Sequence, residues 1–159
     1  RVRTIPGKTV MIHAGDLPDV LYYIVDGSVE VMIEDEDGNE MVLAYLNKGQ
    51  FFGEMGLFYE QPQRSAWVRT RSESEIAEMT YPRFRQIASE SPGLVFELAT
   101  QLATRLDRTN RKLGDLAFVD VTGRVAHAIM DLCREPDAMT HPDGMPIQVS
   151  RQELSRLVG

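Results

Sequence analysis

The apolar periodicity of this chain changes once, near residue 90, and that change limits the architectures open to it. Before the change, short β-rich runs alternate with turn residues. Residues 21–25, 29–33, 41–46, 65–70 and 75–80 read as strands, with Asp26-Gly27-Ser28 and Asp35-Glu36-Asp37-Gly38-Asn39 as hairpin turns. Short strands at regular spacing predict a β-sandwich or β-roll. Residues 81–90 read as a short helix, interrupted by Ser91-Pro92-Gly93. After the change, Val95, Ala99, Leu102, Leu106, Thr109, Leu113 and Leu116 follow one another at alternating steps of four and three residues, a heptad seam without a slip. Such a stripe either packs on the β-domain or pairs with a second copy. The length of the helix and the polar Thr109 within the seam favour the second, a homodimer through residues 95–116.

A second small unit follows the helix. Asp120 is a good N-cap for a helix over residues 121–135, whose apolar face carries Val125, Ala126, Ile129, Met130, Leu132 and Cys133, so Cys133 is expected in a core. Ser150-Arg151-Gln152-Glu153 is an S-x-x-E capping box opening one more helix before Leu154, Leu157 and Val158. The class is therefore α+β.

Composition sets limits on function. A formal charge of −7 argues against wholesale coating of nucleic acid. One cysteine excludes a disulfide framework or a cysteine-rich iron–sulfur site and suits a reducing cytoplasm. The sequence contains no membrane-length apolar run, and no signal peptide is expected. His13, His127 and His141 are too scattered for a metal centre, which also removes a jelly-roll metalloenzyme, and no catalytic constellation stands out.

One segment carries ligand chemistry. Gly53 and Gly56 flank Glu54 and Met55, and Arg64-Ser65 follow after a turn. Glycine lets backbone reach unusual conformations and approach a ligand closely. An ionised Glu54 only accepts hydrogen bonds and suits a ligand hydroxyl. Arg64 offers a planar fork that fits a phosphate bidentately, and Ser65 adds a hydroxyl. Taken singly, these features have ordinary explanations: a turn, a solvated arginine, or a surface Glu54–Arg64 salt bridge. Taken together they describe a ligand with a sugar hydroxyl on one side and a phosphate on the other, that is, a nucleotide and not a metal.

The stretches Phe52-Gly53-Glu54-Met55-Gly56-Leu57-Phe58 and Arg64-Ser65-Ala66-Trp67-Val68 resemble the phosphate-binding cassette of the cAMP receptor protein family of bacterial transcription regulators. Leu21-Tyr22-Tyr23-Ile24-Val25-Asp26-Gly27-Ser28-Val29, Leu116-Ala117-Phe118-Val119-Asp120-Val121-Thr122-Gly123-Arg124 and Asp137-Ala138-Met139-Thr140-His141-Pro142-Asp143-Gly144-Met145 match the same family in the same order, across nearly the whole chain. The resemblance implies a cyclic-nucleotide-binding β-roll of the jelly-roll type over residues 1–92, a dimerisation helix over 93–118, and the first part of a winged helix-turn-helix domain over 119–159. It implies cAMP as allosteric ligand. Arg64 and Ser65 would hold the cyclic phosphate and Glu54 the ribose 2′-OH, beside Gly53, Met55 and Gly56. Thr109, with Asn110 of the partner subunit, would hold the base, and Met41, Val42, Leu43 and Ala44 would contribute pocket wall. Asn110 departs from the serine of the best-known member, so altered affinity or base selectivity is expected.

By the same resemblance, Phe118, Val119 and Asp120 form the hinge to the DNA-binding domain. Ser150, Arg151 and Gln152 would meet the DNA backbone. The loop with Ala138, Met139, Thr140, His141, Asp143 and Gly144 would touch RNA polymerase, unless it is only a proline- and glycine-punctuated turn. The acidic turn over residues 34–40 is read as a solvated hairpin, although in the family that loop borders the pocket and can face the polymerase. Residues 121–159 carry four arginines against five carboxylates, a net −1 that leaves most of the acidity in the sensor. A recognition helix is expected beyond Gly159, and a further segment before Arg1, so the sequence is expected to be part of a longer chain. The function implied is a cytoplasmic, cAMP-dependent, DNA-binding transcription regulator without enzymatic activity. The alternatives are a relative responding to another effector such as cyclic di-GMP, or a cyclic-nucleotide-binding module of a kinase or channel, which the region after Asp120 disfavours.

Overall fold

The computed structural model describes residues 1–59, 63–136, 138, 147 and 149–159. They form two compact units, the first of Arg1–Ile33 and Val42–Leu106, the second of Glu34–Met41 and Asp107–Gly159.

The first unit is built on strands β1 (Val2–Ile5), β2 (Val10–Ile12), β3 (Val20–Asp26), β4 (Ser28–Glu34), β5 (Glu40–Asn47), β6 (Phe51–Phe52), β7 (Trp67–Thr70) and β8 (Ser74–Thr80). They make two four-stranded sheets, ordered β1-β8-β3-β6 and β2-β7-β4-β5. Both sheets feed one apolar cluster: Ile24, Phe52 and Ile76 come from the first, and Ile12, Val29, Leu46 and Val68 from the second. Ile24, Val29 and Ile76 are fully shielded from solvent. That shared interior is what makes the pair of sheets a β-roll rather than two independent ladders. The five expected strands are present. β1, β2 and β6 were not expected, being only four, three and two residues long, too short to show an alternating pattern.

The turn between β3 and β4 needs glycine. Gly27 has φ +86°, and a Cβ there would lie 2.3 Å from Ser74 Oγ, so both its backbone conformation and its surroundings exclude a side chain.

Helix α1 (Tyr81–Glu90) packs Tyr81 and Phe84 into a second cluster with Leu21, Phe51, Leu57 and Leu98. Leu98 belongs to α2 (Pro92–Phe118), which begins at Pro92 itself rather than after it. Proline is tolerated in the first turn because its missing N–H has no intrahelical acceptor there. The seam residues are not what attaches this helix to the sheets. Leu98, Gln101 and Arg105 do that: the Gln101 side chain accepts from Phe51 N–H at 2.9 Å and donates to Gly49 O at 3.0 Å. The heptad positions Val95, Leu106, Leu113 and Leu116 are 44, 62, 64 and 42% exposed, and only Leu102 shares the packed face.

In the second unit, Asp120 caps α3 (Val121–Leu132) as expected, its Oδ1 accepting from Gly123 N–H at 2.8 Å. The helix stops at Leu132, three residues short of the expected 135, and closes through tightened turns at Arg134 and Glu135. Cys133 is therefore half-buried beyond the last turn rather than a core residue. Helix α4 (Arg151–Val158) starts with Ser150 Oγ accepting from Glu153 N–H at 3.1 Å, one half of the capping box. His127 Nδ1 lies 2.9 Å from Asp115 Oδ2, tying α3 to the end of α2, and Arg156 pairs with Glu40 at 2.8 Å.

Candidate functional site

The cassette grows out of β6. Gly53 leaves the strand with φ +76°, a region a side chain strongly disfavours, and delivers Glu54 into a short 3-10 turn over Met55–Leu57. Leu57 N–H donates to Glu54 O at 2.9 Å and closes that turn. The chain returns at Arg64, whose backbone is fastened to the 13–18 loop: Arg64 N–H donates to Asp16 O at 2.9 Å and Gly15 N–H to Arg64 O at 2.8 Å.

Two charged side chains inside this frame are held by specific partners. Arg64 Nη1 donates to Gly53 O at 2.8 Å and to the Tyr81 hydroxyl at 3.3 Å, and Nη2 donates to Val20 O at 2.9 Å. The guanidinium also lies 5.9 Å from the Tyr22 ring centroid, with Tyr22 stacked on Phe52 at 4.8 Å. A guanidinium has five N–H groups, and these contacts use three, leaving Nε–H and one Nη2–H without an acceptor among the described residues.

Glu54, only 7% exposed, meets Arg105 of α2, with Arg105 Nη1 3.2 Å from Glu54 Oε1. Arg105 Nη2 also donates to Phe51 O. Glu54 thus pairs with Arg105 inside the cassette, and not with Arg64 in the surface salt bridge that was the ordinary alternative for these two residues. Arg105 was missed from sequence because a single helical arginine carries no motif; its spacing four residues before Thr109 was the only available signal. Ser65 is exposed, its hydroxyl 3.2 Å from Met55 Sδ, and Met55 is 40% exposed.

The other expected site residues are distributed as follows. Val42 is fully buried, Leu43 is 37% exposed, and Ala44 packs against the core. Side chains alternate along β5, so these consecutive residues divide between two faces and cannot all line one wall. Met41, Thr109 and Asn110 fall in the second unit. Thr109 and Asn110 are both exposed on α2 and make no side-chain hydrogen bond among the described residues, whereas Thr100 and Thr104 bond back to carbonyls four residues earlier, at 2.8 and 2.9 Å. Phe118 is 91% exposed at the end of α2, followed by half-buried Val119 and the capping Asp120. Ser150, Arg151 and Gln152 are exposed at the start of α4. Ala138 N–H donates to Glu135 O at 3.0 Å; Met139, Thr140, His141, Asp143 and Gly144 lie outside the described residues.

Comparison with known proteins places this geometry. Residues 2–91 match the family profile described as the cyclic nucleotide-binding domain. The chain is 51% identical over 160 residues to the cAMP-activated global transcriptional regulator Vfr of Pseudomonas aeruginosa, covering 99% of this chain and 75% of that protein. It is 52% identical over 154 residues to the cAMP-activated global transcriptional regulator CRP of Salmonella typhimurium, covering 97% and 73% respectively. The chain belongs to the CRP family of transcription regulators. Among solved structures, the c-di-GMP-responsive global regulator CLP of Xanthomonas campestris matches with a TM-score of 0.93 at 42% identity, over 99% of this chain and 79% of that one. The α+β class and the cyclic-nucleotide-binding β-roll expected from sequence agree with this family. No described helix is long and apolar enough to cross a membrane.

Proposed function

We propose that this protein is a cAMP-dependent transcription regulator whose ligand enters at the cassette. The observation that carries the reading is the state of Arg64. Its guanidinium is locked by two backbone carbonyls and a hydroxyl, yet among the described residues two N–H groups have no acceptor, the number a bidentate phosphate requires. In this reading Arg64 and Ser65 hold the cyclic phosphate, while Glu54, oriented by Arg105, accepts from the ribose 2′-OH. Gly53, Met55 and Gly56 complete the frame.

The remaining parts follow from the same reading. The exposed heptad face pairs two copies through residues 95–116, which excludes water from Leu106 and Leu113. Thr109, with Asn110 of the partner subunit, then reads the base; an amide there both donates to and accepts from a purine edge. Residues 1–92 act as sensor, 93–118 as coupling helix and 119–159 as the start of the DNA-binding domain. Ligand contact with the helix biases the hinge at Phe118–Asp120 by differential affinity for two arrangements. Double-stranded DNA meets Ser150, Arg151 and Gln152, RNA polymerase meets the loop around Ala138, and the protein works in the cytoplasm without catalysing a reaction.

A second reading has a specific support, the likeness to a c-di-GMP-responsive regulator at 42% identity. Calorimetric titration with cAMP, cGMP and cyclic di-GMP separates the two. Tightest binding of cAMP is expected; tightest binding of cyclic di-GMP would replace the first reading by the second.

A further inference from the structure

Tyr81 is the first residue of α1 and only 6% exposed, yet its hydroxyl emerges inside the cassette. It donates to Gly53 O at 2.5 Å and accepts from Arg64 Nη1 at 3.3 Å, while the same Nη1 donates to Gly53 O at 2.8 Å. The three groups close a triangle around the arginine. Burial pushes the Tyr81 phenol above its ordinary pKa, with Arg64 opposing, so the hydroxyl stays protonated and keeps donating.

The cassette glycines fit this triangle. A Cβ on Gly53 would lie 2.7 Å from Arg64 Nη1, and a Cβ on Gly56 would lie 2.6 Å from the Tyr81 hydroxyl and 2.5 Å from Pro18 Cγ. Such distances are closer than side-chain atoms tolerate. The sequence suggested that these glycines let backbone approach a ligand. Their surroundings show that they make room for three of the protein's own side chains, Arg64, Tyr81 and Pro18.

We infer that Tyr81 is a positioning residue for ligand binding: its hydroxyl fixes the plane of the Arg64 guanidinium, and Gly56, as glycine, admits that hydroxyl beside Pro18. The inference rests on the reading that Arg64 holds the phosphate. Removing the hydroxyl leaves Gly53 O with its Arg64 donor and takes an acceptor only from one Nη1–H of Arg64, a part-buried group at the cassette. The consequence should therefore fall on the aim of Arg64 rather than on folding.

The test uses Tyr81→Phe, Arg64→Leu and the double variant, each titrated with cAMP and with the two phosphorothioate diastereomers in which one or the other exocyclic oxygen is sulfur. Tyr81→Phe should weaken cAMP about three- to tenfold, the scale of one hydrogen bond. It should also narrow the preference between the diastereomers, which a general loosening of the fold would not change, and it should add nothing once Arg64 is leucine. Full additivity of the two substitutions, or unchanged affinity and preference in Tyr81→Phe beside a large loss in Arg64→Leu, overturns the positioning role alone. No loss in Arg64→Leu overturns the phosphate assignment, and the positioning role with it. Should Tyr81→Phe fold poorly, arginine side-chain ¹⁵N spectra of the parent decide: slow Nη rotation at Arg64 without ligand is expected, and free rotation refutes the triangle.

Discussion

Substitution of Arg105 by methionine should destabilise the ligand-free protein by about 2–4 kcal/mol, and the structure explains why. Arg105 and Glu54 approach to 3.2 Å with side chains 18 and 9% exposed. At an effective dielectric near 20 their attraction is about 5 kcal/mol. Desolvation of both ions offsets most of that, so the intact pair is close to neutral in net terms. Methionine keeps the apolar stem but leaves the Glu54 carboxylate buried without this partner and withdraws a donor from Phe51 O. Breaking one side of a buried pair costs roughly 3–5 kcal/mol, and partial access to water lowers that somewhat. For a unit of this size the melting temperature should fall on the order of 10 °C or more. The assay is urea denaturation of the parent, Arg105→Met, Glu54→Gln and the double variant, without ligand. The double variant should recover at least about 1.5 kcal/mol relative to additivity, since it removes both charges. A loss below about 0.5 kcal/mol in Arg105→Met, or simple additivity, would refute the buried-pair argument.

Three further predictions follow from other parts of the molecule. Leu106 is 62% exposed on the heptad face, so Leu106→Asp should leave the β-roll folded but shift sedimentation from dimer to monomer; an unchanged sedimentation coefficient contradicts the seam. Gly53→Ala must adopt φ +76° and crowd Arg64 Nη1, so it should cost about 1–2 kcal/mol and weaken cAMP binding in calorimetry. Asp35 accepts from the Asn39 side chain at 2.9 Å and from the backbone N–H groups of Asn39 and Asp37 at 2.8 and 3.0 Å, which hold its carboxyl below the ordinary range. A lowered folded pKa means that this stabilisation is present above the unfolded value and disappears as pH falls through the folded one. Protection of the Asn39 amide, its exchange rate relative to the intrinsic rate at the same pH, should therefore fall on acidification below about pH 4 in the parent, and Asp35→Asn should flatten that dependence.

Legibility in the sequence followed the length and regularity of each signal. β3, β4, β5 and β8 were visible because each is seven or eight residues long and rich in apolar and β-branched side chains. β6 was invisible at two residues, although it pairs Tyr22 with Phe52 and launches the cassette. The heptad spacing showed which face of α2 is apolar but not which face the sheets would take. That was settled by Leu98, Gln101 and Arg105, two of them polar and therefore silent in any apolar pattern. Asp120 and Ser150 were legible because capping needs only a side-chain oxygen three residues before a free N–H. In the site, the ligand-type residues carried a motif, whereas their supports did not. Arg105 and Tyr81 reach the cassette from positions 51 and 17 residues away in the chain, and only folding brings them there.

The central claim is that Arg64 holds a cyclic phosphate, and calorimetry of cAMP binding to the parent and to Arg64→Leu tests it most directly. Loss of a charge-assisted contact predicts weakening of about 10- to 150-fold, with the melting temperature of the ligand-free protein serving as the control for folding. An Arg64→Leu variant that folds and binds cAMP as tightly as the parent would contradict the account.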